Sequence, residues 1–165
     1  MDLYSTIIEL SSSPVAESER ACSYELPEWF CGDVADYIRD TDDRESSLQH
    51  LAWAMEDFAD FDLEQNCLTL KADAKEKYFQ DAYREYKETL EKLAKVPMEE
   101  FNGVSTTPSG TESLSALMSS LRSAIEDRFG MYIYADDELT TLDEWLRYAS
   151  IGDAYYIGGV MEYHY

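Results

Sequence analysis

Apolar residues along this chain follow two periods. Stripes at i, i+3, i+4, i+7 predict helices, and short β-branched or aromatic runs between turn residues predict strands. The run LYSTIIEL, residues Leu3 to Leu10, reads as a first strand. A Ser/Pro loop from Ser11 to Glu19 follows. In YELPEWFCG, Pro27 suits the first turn of a short helix, and Trp29 and Phe30 offer bulk to a core or an interface, with the core the expected place of Trp29. Val34, Tyr37 and Ile38 place a second short helix over Asp33 to Arg39.

Leu48, Leu51, Ala52, Met55, Phe58 and Ala59 then form one stripe, predicting a helix from Asp43 to Phe61, about 28 Å long at 1.5 Å per residue. Its start is marked by Thr41 and the aspartates beside it, which can cap free N–H groups and face the positive helix pole. Cys67 to Leu70 reads as a strand. Ala72 to Ala94 reads as a long helix with Phe79, Ala82, Tyr83, Tyr86, Leu90 and Leu93 on one face, ended by Pro97. Asn102 to Thr111 is turn-rich.

Beyond it, Ser113 to Phe129 predicts a helix with Gly130 as its cap, and MYIYA at 131–135 a strand. DDELT is then a polar turn, and TLDEWLRYA a short helix starting at Thr140 or Thr141. AYYIGGVMEYHY predicts two strands joined at Gly158-Gly159, with a single bulged strand as the alternative. The expected class is α+β: a helix-rich acidic protein with a small antiparallel sheet and a C-terminal α+β unit. A single domain over residues 1–165 is expected, with 1–102 and 103–165 as its natural subdivision.

Composition sharpens this picture. The 165 residues carry a formal charge of −22 yet are 45% hydrophobic and 13% aromatic, so a folded core accompanies the acidity. Such a charge excludes direct binding to nucleic acid or an anionic membrane and favours a basic protein partner. The charge is also uneven: residues 1–70 are net −14, residues 71–103 only −1, and residues 104–165 net −7. In the long helix, Asp73/Lys77, Glu88/Lys92 and Glu91/Lys95 are acid-before-base pairs at the favourable i, i+4 spacing.

From Asp33 to Glu64 eleven carboxylates face two arginines: Asp33, Asp36, Asp40, Asp42, Asp43, Glu45, Glu56, Asp57, Asp60, Asp62 and Glu64 against Arg39 and Arg44. Capping explains one or two carboxylates near Asp42. The helix face opposite the stripe would carry Gln49, His50, Trp53, Glu56, Asp57 and Asp60, with Glu56 and Asp60 as a like-charge i, i+4 pair. These acids, with Trp53, are the candidate partner-binding residues.

Other chemistries find little support. Phosphate-binding glycine loops, the G-x-S-x-G elbow and H-E-x-x-H are all missing from the sequence. Asp40-Thr41-Asp42-Asp43 departs from the calcium-loop spacing, and Cys22, Cys31, Cys67 and His50 lack the close pairs of a zinc site. Buried free thiols in a reducing compartment are the expected state of the cysteines. Neither an enzyme nor a cofactor is expected. With no run of about 20 apolar residues and no basic leader, a cytoplasmic protein is expected.

The segment Ile38-Arg39-Asp40-Thr41-Asp42-Asp43 resembles a segment of Ocr, and the length and acidity resemble ArdA. Both are DNA-mimic anti-restriction proteins of phages and mobile elements. That resemblance implies occupation of the DNA groove of a type I restriction enzyme, and a CRISPR effector suits the same physics. The implied partner is a basic nucleic-acid-binding complex of the host, and a homodimer is compatible with the chain. The competing expectation is an interaction module that binds one partner through exposed aromatics such as Trp53 or Trp145.

Overall fold

The computed structural model describes residues 5–126 and 128–165. The chain is α+β, with a mixed seven-stranded sheet. It forms two compact units, residues 1–78 with 128–165, and residues 79–127. The boundaries therefore fall at 78/79 and 127/128, where the turn-rich stretch had suggested 102/103.

The first unit is built on the sheet. Its strands are β1 (Thr6–Ser11), β2 (Tyr37–Asp40), β3 (Ala59–Asp62), β4 (Cys67–Leu70), β5 (Tyr132–Ala135), β6 (Glu138–Thr141) and β7 (Ala154–His164). They run in the order β3-β4-β7-β1-β5-β6, and β2 pairs with β7 on the same side as β4. The sheet is larger than expected and not purely antiparallel, because β1 and β5 are parallel. Of the first predicted strand, Leu3 and Tyr4 lie outside the described residues.

β7 is the longest strand and the one the others are assembled on. Ile157 through Met161 are all buried, as expected of a strand covered on both faces. The pair Gly158-Gly159 lies inside this strand, opposite Glu9, where the β1 pairing slips between Ile8 and Leu10. The bulged alternative holds and the hairpin does not. A Cβ on Gly158 would lie 1.9 Å from the Glu9 carboxylate, and one on Gly159 would lie 2.0 Å from the Ala21 carbonyl oxygen. The hairpin turn is instead Asp136-Asp137 between β5 and β6, with φ of 52° and 62°, the two left-handed residues of a type I′ turn.

Phe30 anchors the core on Ile7, Tyr132, Met161 and Tyr163. Its ring meets Tyr132 and Tyr163 edge to face, with centroids 4.7 and 5.1 Å apart. Trp29, expected in the core, is 46% exposed while its neighbour Phe30 is fully buried. The short helix α1 (Phe30–Asp33) turns only one of these adjacent rings inward. After it the chain does not form the predicted helix over Asp33 to Arg39. The Asp36 N–H donates to the His164 carbonyl, and Tyr37–Asp40 pairs along β7, because that strand offers unpaired backbone groups there.

The helix predicted to Phe61 stops much earlier. α2 (Arg44–Ala54) has 11 residues, about 16 Å. Asp43 caps it by accepting from the Ser46 N–H at 3.0 Å, and Leu48 and Leu51 are its buried stripe. Phe58 and Ala59 are buried as expected, but from a turn and a strand. In Ala59-Asp60-Phe61-Asp62 the acids are exposed and the other two are not, which is the period of a strand.

α3 (Ala74–Ala94) begins in the first unit, and the unit boundary falls inside it. Its Asp73–Lys77 ion pair forms at 3.1 Å, while Lys92 turns to Glu112 at 2.7 Å instead of to Glu88. The second unit also holds α4 (Met98–Phe101) and α5 (Leu114–Ile125). α5 is capped by Ser113 and ends at Glu126 rather than Gly130, since Glu126 already has extended backbone. α6 (Leu142–Tyr148) returns to the first unit, capped by Thr141 and buried through Leu142 and Leu146.

Candidate functional site

All eleven carboxylates from Asp33 to Glu64 are exposed. Topology also groups them. The chain from α1 to β4 supplies β2, β3 and β4, which lie on one side of β7 in strand order, whereas β1, β5 and β6 lie on the other. β2 pairs with residues 161–164 of β7 and β4 with residues 154–156. The strands of this segment are thus assembled on a strand of 11 residues, about 36 Å at 3.3 Å per residue.

Their individual roles differ. Asp43 caps α2, Asp40 accepts from the Ser23 N–H at 2.8 Å, and Asp62 accepts from the Gln65 N–H at 3.1 Å. Asp60 lies 3.7 Å from Lys71, Asp42 lies 3.2 Å from Arg39, and Asp36 lies 3.6 Å from His164. Glu45 accepts a long bond from Gln49 at 3.4 Å. Among the described residues, Asp33, Glu56, Asp57 and Glu64 have side chains with no hydrogen bond or ion pair. Glu56 and Asp60 are not helical neighbours, because α2 has ended and Asp60 belongs to β3.

The arginines of this stretch are engaged largely with β7. Arg39 binds Glu162 of β7 through both Nε, at 3.0 Å, and Nη2, at 2.7 Å, which raises its already high pKa. Arg44 points inward. β7 is left without a strand partner on this side between the ends of β4 and β2, and Arg44 fills the gap by donating to the Gly158 carbonyl and, at 3.0 Å, to that of Ile157. Burial, with Arg20 nearby, lowers its pKa to about 10, still far above neutrality. The Nε of Arg20 is itself buried, with no hydrogen-bond partner among the described residues. On the opposite side of the gap, the Glu9 carboxylate accepts from the N–H groups of Gly159, at 2.6 Å, and Ala21, at 2.7 Å.

Trp53 is 67% exposed, with its ring centroid 5.9 Å from that of His50. His50 lines a hollow with Arg39, Asp42, Asp43 and Glu162. Among the described residues no cluster of histidine, cysteine and carboxylate is arranged to hold a metal ion. Cys67 is buried, Cys22 is half-buried and Cys31 is exposed, so the expectation of buried thiols fails for Cys31. Among the described residues no helix is long and apolar enough to cross a membrane.

No protein-family model, curated protein or solved structure matches this chain. The surface is therefore read from its own chemistry. Glu162 and His164, both from β7, escaped sequence reasoning, because strand pairing brings them beside Arg39 and Asp36 from more than 120 residues away. Nothing local in the sequence signals that proximity.

Proposed function

We propose that the protein is a DNA mimic from a phage or mobile element. It would occupy the nucleic-acid-binding cleft of a host defence complex, a restriction enzyme or a CRISPR effector, in the host cytoplasm. One observation carries this reading: the segment that supplies β2, β3 and β4 on one side of β7 in strand order carries eleven exposed carboxylates, while its arginines are engaged with Glu162, Asp42 and backbone carbonyls. Duplex DNA carries one charge per about 1.7 Å, so about 36 Å of duplex presents about 21 phosphates, half of them to one side. Eleven carboxylates are of that order. A cleft whose lysines and arginines meet phosphates would meet a comparable charge density here.

The test is to express the protein in hosts carrying a type I restriction enzyme or a CRISPR effector and to measure plating of a targeted phage. Expected is restored plating in at least one host, and purified protein that competes with DNA for that complex. Affinity should fall steeply with salt, since exposed charges are screened over about 8 Å at physiological ionic strength. Neutralising the four carboxylates without structural partners, by Asp33→Asn, Glu56→Gln, Asp57→Asn and Glu64→Gln together, should weaken binding about ten- to a hundredfold. Unchanged plating in every such host, or affinity that is flat with salt, would sink the reading.

A second reading is favoured by Trp53 and Tyr37, 67% and 61% exposed beside the same acids. Here the protein binds one partner through aromatic anchors, as hot spots enriched in tryptophan and tyrosine do. Loss of binding with Trp53→Ala, and retention in the fourfold variant, selects this alternative.

A further inference from the structure

A different surface lies between the β5–β6 turn and α6, with Tyr155 of β7 completing it. It is a hollow of about 340 Å³. One wall is aromatic. Trp145 and Tyr155 meet edge to face with centroids 5.0 Å apart, and the Ser150 N–H donates to the Tyr155 hydroxyl at 2.7 Å, which holds that ring in place. Tyr148 also lines the hollow and is 80% exposed.

Three carboxylates line the same space from three backbone positions. Asp136 comes from the type I′ turn, Glu138 from the first residue of β6, and Glu144 from the first turn of α6. Glu144 is 3.5 Å from Arg147. Asp136 and Glu138 have no ion pair among the described residues. Neither lysine nor arginine is part of the lining.

Aromatic faces attract cations through their quadrupole, and carboxylates attract them by charge, so both walls select the same sign. A hard metal ion would need a cage of oxygens and would gain little from indole and phenol rings. A guanidinium matches both walls: it is planar, weakly hydrated, stacks on aromatic faces and offers forked donors to carboxylates. We propose that this hollow binds the guanidinium of an arginine side chain presented by a partner protein. The site involves none of the carboxylates between Asp33 and Glu64, so it stands or falls independently of the DNA-mimic reading.

The test is a titration of the full ¹⁵N-labelled chain with N-acetyl-arginine amide and, separately, N-acetyl-lysine amide, following the indole N–H signals of Trp29, Trp53 and Trp145. Expected is a saturable shift of the Trp145 signal with the arginine probe, and about fivefold weaker binding of the lysine probe. Tyr148→Ala and Glu138→Gln alter exposed side chains and should leave the rest of the spectrum unchanged, while each weakens binding about three- to tenfold. The Asp33→Asn, Glu56→Gln, Asp57→Asn, Glu64→Gln variant should bind the arginine probe as the parent does. A linear shift shared by all three tryptophans, equal binding of the two probes, or unaltered affinity in both pocket variants would overturn the proposal.

Discussion

Arg44 and Arg39 are five residues apart in an acidic stretch, yet their loss should have very different consequences. Arg44 donates to two carbonyls of β7, Ile157 and Gly158, in the gap between the ends of β4 and β2. Arg44→Ala leaves both acceptors in a partly buried site. An unsatisfied buried polar group costs about 1–3 kcal/mol, and water reaching this half-buried gap recovers part of that. Relief from burying the guanidinium near Arg20 offsets a further part. We expect a net loss of about 2–3 kcal/mol. Arg39 pairs with Asp42 and Glu162 at the surface, where such pairs are worth about 0–1 kcal/mol.

Urea unfolding followed by circular dichroism, at equal ionic strength, measures both variants. The expected order is a midpoint strongly lowered for Arg44→Ala and little changed for Arg39→Ala, with similar slopes. Arg44→Lys should be intermediate, since an ammonium lacks the fork that reaches two carbonyls. If Arg39→Ala costs as much as Arg44→Ala, or Arg44→Ala costs under about 0.5 kcal/mol, the assignment of Arg44 as the bridge across the gap in β7 is wrong.

Gly159→Ala should lose about 3 kcal/mol in the same assay, because its Cβ would meet the Ala21 carbonyl oxygen, whereas Gly32→Ala has nothing within 4 Å and should cost nothing measurable. Asp137→Gly should raise stability by about 0.5–1 kcal/mol, since φ of 62° is strained for aspartate and free for glycine; a lowered melting temperature would contradict the type I′ turn. Burial raises the pKa of Cys67, so the folded state keeps that proton longer than the unfolded chain. Its contribution is fully present below the unfolded pKa and is lost as pH rises through the folded value, so Cys67→Ala should flatten the alkaline decline of stability in melts from about pH 8 to 10.5. Iodoacetamide on the native protein should modify exposed Cys31 well before buried Cys67, as read by peptide mass; equal rates would place Cys67 at the surface.

Where local pattern and local partner agree, the elements were legible in the residues. The span of α3, the Ser113 cap of α5 and the Thr141 start of α6 each satisfy their hydrogen bonds within themselves or mark their own ends, although Tyr83 and Leu90 of the expected α3 stripe are exposed. The acidity is likewise a property of composition, and so is the exposure of most carboxylates, since burying an unpaired charge is prohibitive. Tertiary structure decided what short ambiguous segments became. Val34-x-x-Tyr37-Ile38 fits a helix by spacing, but Tyr37–Asp40 is a strand because β7 has free backbone groups to pair there. Phe58 and Ala59 continue the stripe of α2, yet the chain leaves the helix because the edge of β4 offers Ala59–Asp62 a partner.

The Asp33–Glu64 stretch shows the same division most clearly. Its eleven carboxylates and two arginines are written in the sequence. That Arg44 places its donors on β7 while, among the described residues, Asp33, Glu56, Asp57 and Glu64 stay unpaired depends on contacts across more than 100 residues. Side-chain charge is local, but its compensation is set by which distant backbone and side-chain groups the folded chain brings within hydrogen-bonding distance.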